Sequence, residues 1–245
     1  MIVTTGTGLT SCLSTRLHDA HVYARYNGHW PQYIDSSAQF DIYKAHRHDR
    51  VDEVLMGKYS APLLTPTDYD HGWQYGWYDQ FDLPKLSRIA MDVCRPSDAV
   101  LRKAAEYRNA IGERTCILYR GNDKAKEIAP VTYDQVIKAA GEAGGEYFVQ
   151  TDEQEFLKAF LDAHPNAGYT DEIPRIHRNF DSYVAPVKVK MREFVINFNA
   201  MLWAIGQARK VVMTTGNTGL WTAIYRGHTH NVWQMHGATN EYRKL

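Results

Sequence analysis

The chain has 245 residues, 44% of them hydrophobic and 23% charged, enough to bury a sizeable core in one large domain or two small ones. Lys+Arg and Asp+Glu both number 28, and the resulting formal charge of zero argues against a general affinity for nucleic acid or anionic membranes. Three cysteines, Cys12, Cys94 and Cys116, without a C-x-x-C spacing make neither a disulfide framework nor a zinc site, and fit a reducing compartment.

The first stretch, MIVTTGTGL, has no basic n-region and no long apolar core, and no segment approaches the ~18–20 apolar residues of a membrane span, so a cytoplasmic protein is expected. Ile2–Thr5 reads as a short strand. Leu13, Leu17, Ala20 and Ala24 recur at near-helical spacing, which predicts a helix from Ser11 to about Tyr26, with Gly28 to end it. Gln32–Ile34 is a second short strand ending at Asp35, which completes a βαβ start. Residues 36–90 are less regular, and TPTDYDHGWQYGWYDQFDLP (65–84), dense in turn formers and aromatics, reads as a long ordered loop.

A second α/β section follows. It predicts helices over Pro96–Ile111 (capped by Ser97 or Asp98), Tyr133–Ala143, Asp152–Ala163, Phe194–Ala208 and Leu220–Arg226. Strands are expected at Thr115–Tyr119, Glu146–Gln150, Gly168–Thr170 and Val211–Thr214. Alternating strands and helices imply a parallel sheet covered on both faces. The natural boundary falls near 90–96, giving sections 1–92 and 93–245.

In an open parallel sheet, ligands sit beyond the carboxyl ends of the strands, and every segment there is polar or glycine-bearing. GTGLTS, with Gly6 and Gly8, matches only the opening of G-x-G-x-x-G, because Ser11 stands at the third glycine. Asp35 lies where a ribose-binding acid would sit, so an NAD(P)-linked oxidoreductase is one reading and a tight cleft-facing turn the other. In YRGNDK, Arg120 follows a buried strand and can fork two hydrogen bonds to a diphosphate, with Asp123 and Lys124 to hold it or meet the ligand; a surface turn with an internal ion pair is the plainer alternative. VQTDEQEFL offers Thr151 or Asp152 as a helix cap, or Asp152 as an acceptor for a base or ribose. TTGNTG enters a helix whose N–H groups suit an anion, with Thr214, Thr215, Gly216, Asn217 and Thr218 around it, unless it is only a capped turn.

These last three segments, in this order, resemble the donor-site motifs of the fucosyltransferase superfamily of α1,2-, α1,6- and protein O-fucosyltransferases. Its first motif, His-x-Arg-Arg-Gly-Asp-Lys, is similar to LYRGNDK. Its second, (Ala)-Thr-Asp-Asp/Glu before a helix, is similar to FVQTDEQEFLKAF. Its third resembles FNAMLWAIGQARKVVMTTGNTGLWTAIYRG in layout, and the glycine loop and the helix bearing Arg16 resemble its N-terminal segment. The resemblance covers most of 1–40 and 95–228. It implies a GT-B-like α/β fold, in which two Rossmann-like halves with parallel sheets flank a cleft and the N-terminal half is small. It also implies an inverting, metal-independent transfer from GDP-fucose, with no cofactor beyond the GDP-sugar co-substrate. By motif position, Arg120 is the donor-phosphate arginine, Asp152 the acid that holds the nucleoside, and Thr215, Gly216 and Asn217 the phosphate loop. The sequence departs from the first motif at Leu118, in place of the His that holds guanine, and at Gly121, in place of the second Arg.

Two further signals lie in the aromatic loop. Asp68-Tyr69-Asp70 is a D-x-D followed by His71, a pattern that hard cations favour, although chance produces it often. Trp73, Tyr75 and Trp77 can stack on an acceptor sugar or pack over the small section. The pairs His18/His21, His46/His48 and His228/His230 lack a third ligand at metal spacing, and there is neither G-x-S-x-G nor a P-loop. The expected function is glycosyl transfer from a nucleotide-diphosphate sugar to a glycan or other hydroxyl acceptor, with His18, Asp19 and Asp35 as candidate bases. A non-catalytic sugar-nucleotide or carbohydrate-binding protein of the same fold is the remaining alternative.

Overall fold

A computed structural model describes residues 2–3, 9–32, 34–35, 69–121, 128–175, 191–237, 239 and 241–245. At the amino end, β1 (Ile2–Val3) pairs in parallel with β2 (Ile34–Asp35) across α1 (Leu9–Asn27). Gly28 ends α1 as expected, at φ +71° with its N–H on the Ala24 carbonyl.

The main sheet holds β3 (Thr115–Tyr119), β4 (Tyr147–Thr151), β5 (Gly168–Tyr169), β6 (Lys210–Thr214), β7 (Val232–His236) and β8 (Glu241–Lys244). Their spatial order is β5-β4-β3-β6-β7-β8, and every pair is parallel except β7–β8. The chain starts at β3, winds outward through β4 and β5, then returns to β6 on the other side. The strand order therefore reverses between β3 and β6, the place where a doubly wound sheet opens a crevice at its carboxyl edge.

Strand sequence explains the two covered faces. Successive side chains alternate across the pleat, and those of β3 and β6 divide accordingly. Cys116, Leu118, Val211 and Met213 join one core, while Ile117, Tyr119 and Val212 join the other. The second face is covered by α4 (Tyr133–Ala143) and α5 (Gln154–Ala163), through Val136, Ala140, Phe156 and Phe160. The first carries α3 (Asp98–Ile111), α6 (Met191–Gly206) and α7 (Asn217–Arg226), with α3 packed along α6. Leu13, Leu17 and Ala20 of α1 belong to that same core, beside Leu220 and Trp221 of α7.

Several boundaries depart from the sequence reading. Residues 83–93, most of them in the stretch read as irregular, form α2 (Leu83–Val93). Asp82 caps it by accepting from the Lys85 N–H at 3.1 Å, and Leu83, Leu86, Ile89, Ala90 and Val93 are its buried stripe. Ser97, not Asp98, caps α3. Helix α7 begins at Asn217 instead of Leu220, and the hairpin β7–β8 lies beyond the last predicted element. No helix among the described residues is long and apolar enough to cross a membrane.

Candidate functional site

Arg120 leaves the carboxyl end of β3 at the switch point. Its N–H reaches the Thr214 hydroxyl at the end of β6, 3.3 Å away, so the two strand ends are stitched directly. Its guanidinium lies 3.6 Å from an Asp152 carboxylate oxygen through Nε and 3.5 Å from the Thr218 hydroxyl through Nη1. The guanidinium is thus held between the carboxyl end of β4 and the start of α7.

Asp152 does not cap α5. The residue before that helix is Glu153, whose side chain makes no cap bond, while the Glu153 N–H donates to the Thr151 hydroxyl. The Asp152 carboxylate instead turns across to β3 and accepts from the Gly121 N–H at 3.1 Å. Glu153 is fully buried and accepts from the Tyr133 hydroxyl at 2.7 Å. It fills the space over Gly121, where a Cβ would stand 1.9 Å from the Glu153 Oε2 and 2.7 Å from the Tyr119 ring. The missing second arginine of the resembled motif thus has a steric reason, because position 121 has no room for a side chain.

The TTGNTG loop closes the other side. Gly216, at φ +131°, precedes α7, and no side chain caps that helix start. The Thr215 N–H is tied to the Met235 carbonyl, and the Gly216 N–H to the Gln74 carbonyl and the Tyr78 hydroxyl. Tyr78, wholly buried, donates in turn to the Gly216 carbonyl at 3.1 Å, and burial pushes its phenol far above the ordinary range. Asn217 accepts from the Ser14 hydroxyl of α1 at 3.0 Å, and Ser14 accepts from the Trp221 indole. The α1 helix therefore abuts the start of α7.

Beside Arg120 lies a small recess with about 20 Å³ of enclosed space. Its polar rim is Arg120, Asp152 and Thr218, and Phe194, Phe198 and Ile173 form its apolar wall. Gln150, Thr151 and Leu118 stand at its floor. The Arg120 guanidinium, paired with Asp152, thus stands beside an apolar recess at the carboxyl edge of the sheet.

The remaining predicted residues are distributed as follows. Gly6, Gly8, Asp68, Asp123, Lys124, His46 and His48 lie outside the described residues, as does the Asp35 side chain, although its backbone forms β2. Arg16 is buried and donates to the Val93 and Ile34 carbonyls, which joins α1 to α2 and β2. His18 and Asp19 pair with each other at 3.2 Å on the half-exposed side of α1. His21 is buried, edge-on to Trp30. His228 and His230 flank the far end of α7. Asp70 accepts from the Gly72 N–H and starts a short 3-10 turn, and no metal-holding group of three is found among the described residues. Trp73 stacks on Phe81 at 4.3 Å, Tyr75 gives its carbonyl to His236, and Trp77 lies under the Arg243 guanidinium at 4.0 Å. Gln150 and Ser14 were not anticipated from sequence. Only Gln150 left a signal, a polar residue in an otherwise apolar run, EYFVQ.

No protein-family model matches the sequence, and no curated protein sequence matches it. Among solved structures, the chain is similar to the α-1,6-fucosyltransferase NodZ soaked with GDP-fucose, with a TM-score of 0.61 at 12% identity over 100% of this chain and 98% of that one. The same enzyme co-crystallised with GDP gives 0.59 at 11% identity, covering 99% and 96%. Fucosyltransferase NodZ from Bradyrhizobium gives 0.57 at 11% identity, covering 96% of each chain. The expected GT-B-like, fucosyltransferase-like α/β fold is therefore the fold observed.

Proposed function

We propose that this chain transfers a sugar from a nucleotide-diphosphate donor, GDP-fucose first among them, to a hydroxyl acceptor. The observation that carries the reading is the position of Arg120, at the switch point of the sheet, between Asp152 and the start of α7 and beside an apolar recess. NodZ, which shares the fold, was solved with GDP-fucose and with GDP, which supports the choice of donor.

The acceptor oxygen attacks the anomeric carbon as the bond from that carbon to the β-phosphate oxygen breaks. The bonding electron pair leaves with the diphosphate, the configuration inverts, and the hydroxyl proton passes to a base. The charge that develops on the leaving group is met by the Arg120 guanidinium and by the uncapped N–H groups at the start of α7, so positive charge is supplied without a metal. Asp152 holds Arg120 and the Gly121 N–H in place. Thr214, Thr215, Gly216, Asn217 and Thr218 shape the anion site, with Gly6, Gly8, Asp123 and Lys124 as further donor contacts. The base is drawn from His18, Asp19 and Asp35, and the acceptor lies against Trp73, Tyr75 and Trp77.

The test is ligand-induced stabilisation across GDP, GDP-fucose, UDP, UDP-glucose, NAD and NADP, with the wild type and Arg120→Ala side by side. GDP and GDP-fucose should raise the wild-type melting temperature, and the variant should lose most of that shift while it keeps its own unliganded midpoint. Loss of the Arg120 contacts is expected to weaken diphosphate binding by about ten- to a hundredfold, as for a charged hydrogen bond of roughly 1.5–3 kcal/mol. Stabilisation by NAD alone, or equal GDP binding by the variant, would overturn the reading.

A further inference from the structure

Ser14 is a fully buried polar side chain on α1, next to Leu13 in a helix that gives Leu13, Leu17 and Ala20 to the core. A buried hydroxyl costs stability unless it is paired, so its partners are informative. The Trp221 indole of α7 reaches the Ser14 oxygen at 2.8 Å. An indole N–H only donates, so it takes a lone pair and leaves the hydroxyl proton for another group. That group is Asn217, whose Oδ1 accepts it at 3.0 Å across 203 positions of the chain.

The orientation of the Asn217 amide matters because of where it stands. Asn217 is the first residue of α7, Gly216 precedes it, and no side chain caps the helix. An asparagine oxygen is among the favoured acceptors for the orphan N–H groups of a helix start. Here that oxygen is drawn off toward α1, so the N–H groups stay open and the amide presents its NH₂ end. The Asn217 amide nitrogen makes no hydrogen bond among the described residues. The next residue, Thr218, holds its hydroxyl 3.5 Å from the Arg120 guanidinium. The guanidinium, the helix N–H groups and the Asn217 amide thus gather donors at the start of α7. A turned amide would reverse this. Its carbonyl end would occupy those N–H groups and set partial negative charge where an anion has to sit.

We infer that Ser14 is a positioning residue for diphosphate binding. Its hydroxyl holds the Asn217 oxygen away from the start of α7, so that the NH₂ end is offered to a phosphate oxygen. Ser14 acts through Asn217 and not on the ligand itself. One determinant of the anion site therefore lies on α1, far along the chain from Arg120, Asp152 and the TTGNTG loop. The inference rests on the proposed donor site and adds a residue that orients it.

The experiment is a double-mutant cycle on GDP affinity, read by calorimetric titration. It uses wild type, Ser14→Ala, Asn217→Ala and the double variant, with Arg120→Ala as the reference for loss of the diphosphate contact. Each single variant of the Ser14–Asn217 pair should weaken GDP about two- to tenfold, the net worth of one hydrogen bond. The double variant should lose no more than Asn217→Ala alone, because Ser14 then has nothing to position. A merely structural Ser14 would lower the melting temperature, since the Trp221 indole is left unpaired, without this pattern in affinity. Ser14→Cys, close to serine in size and a weak donor, takes the place of Ser14→Ala if that variant does not fold. GDP affinity that is undiminished in the folded Ser14 variant but lost in Arg120→Ala overturns the positioning role and leaves the donor site standing. Losses that simply add in the double variant also overturn it. Wild type that binds no GDP overturns the donor site itself, and the positioning role with it.

Discussion

Arg120 and Asp152 were legible in the sequence because each follows a strand whose apolar run is unmistakable, and a polar residue just past such a strand faces the crevice of a doubly wound sheet. Glycine at 121 was legible only as a departure. Its reason is tertiary: Glu153, held by Tyr133, occupies the space a side chain would need. Gly121→Ala should therefore cost about 1–3 kcal/mol, the usual penalty of overpacking, measured as a shift in the denaturant midpoint. Adding Glu153→Ala should recover part of that loss, so that the two substitutions are not additive; additive losses would mean that the clash is relieved elsewhere. Gln150 shows the limit of sequence at this scale. A glutamine in a strand reads as one face of a pleat, and only the ladder register with Leu118 and the position of its oxygen reveal a buried polar group at the recess.

At the scale of elements, the aromatic segment changes meaning most. Rings at 69–81 read as a loop that either meets an acceptor or packs over the small section. In the structure its turns are fastened to the sheet side of the molecule. The Gln234 side chain accepts from the Tyr78 N–H and donates to the Gly76 carbonyl, Arg243 pairs with Asp79, and Tyr78 with Gln74 secures the Gly216 peptide. The segment thus braces the phosphate loop from outside. Tyr78→Phe removes one hydroxyl that both accepts from and donates to Gly216. It should cost about 1–3 kcal/mol of stability, the penalty for buried groups left unpaired. It should also weaken GDP binding beyond what that stability loss explains, as read by titration well below the melting temperature. Unchanged GDP affinity would confine Tyr78 to a packing role. The helix at 83–93 carried a clear sequence signal, since Asp82 precedes Pro84 and an apolar i, i+3, i+6, i+7 pattern follows. The aromatic density ahead of it masked its start. The hairpin β7–β8 was harder, because EYRK is exposed and charged and becomes a strand only by pairing with the apolar VWQMH.

At the scale of the molecule, one core runs from α1 through α2 and α7 to the sheet, and it carries all three thiols among its fully buried side chains. Burial pushes Cys12, Cys94 and Cys116 each up to about 12. An unfolded thiol releases its proton near ~8.5. The folded state therefore retains protons that the unfolded state has lost between those values. The thiol contribution to stability is complete below about 8.5 and is lost as pH rises toward 12. A thiol-specific disulfide reagent at pH 8 should leave the native protein almost unreacted and titrate all three cysteines after denaturation. Rapid labelling of the native protein would contradict the burial.

The whole-molecule lesson is that the sheet order, which sequence suggested only as alternating strands and helices, decides where the chemistry sits. It brings the ends of β3, β4 and β6 together, and with them Arg120, Asp152 and Thr214. The most direct test is backbone hydrogen exchange with and without saturating GDP. Protection should concentrate at residues 118–121, 150–153 and 214–220, the three segments that meet around Arg120. No change in exchange at those segments, with GDP present in excess, would contradict the account.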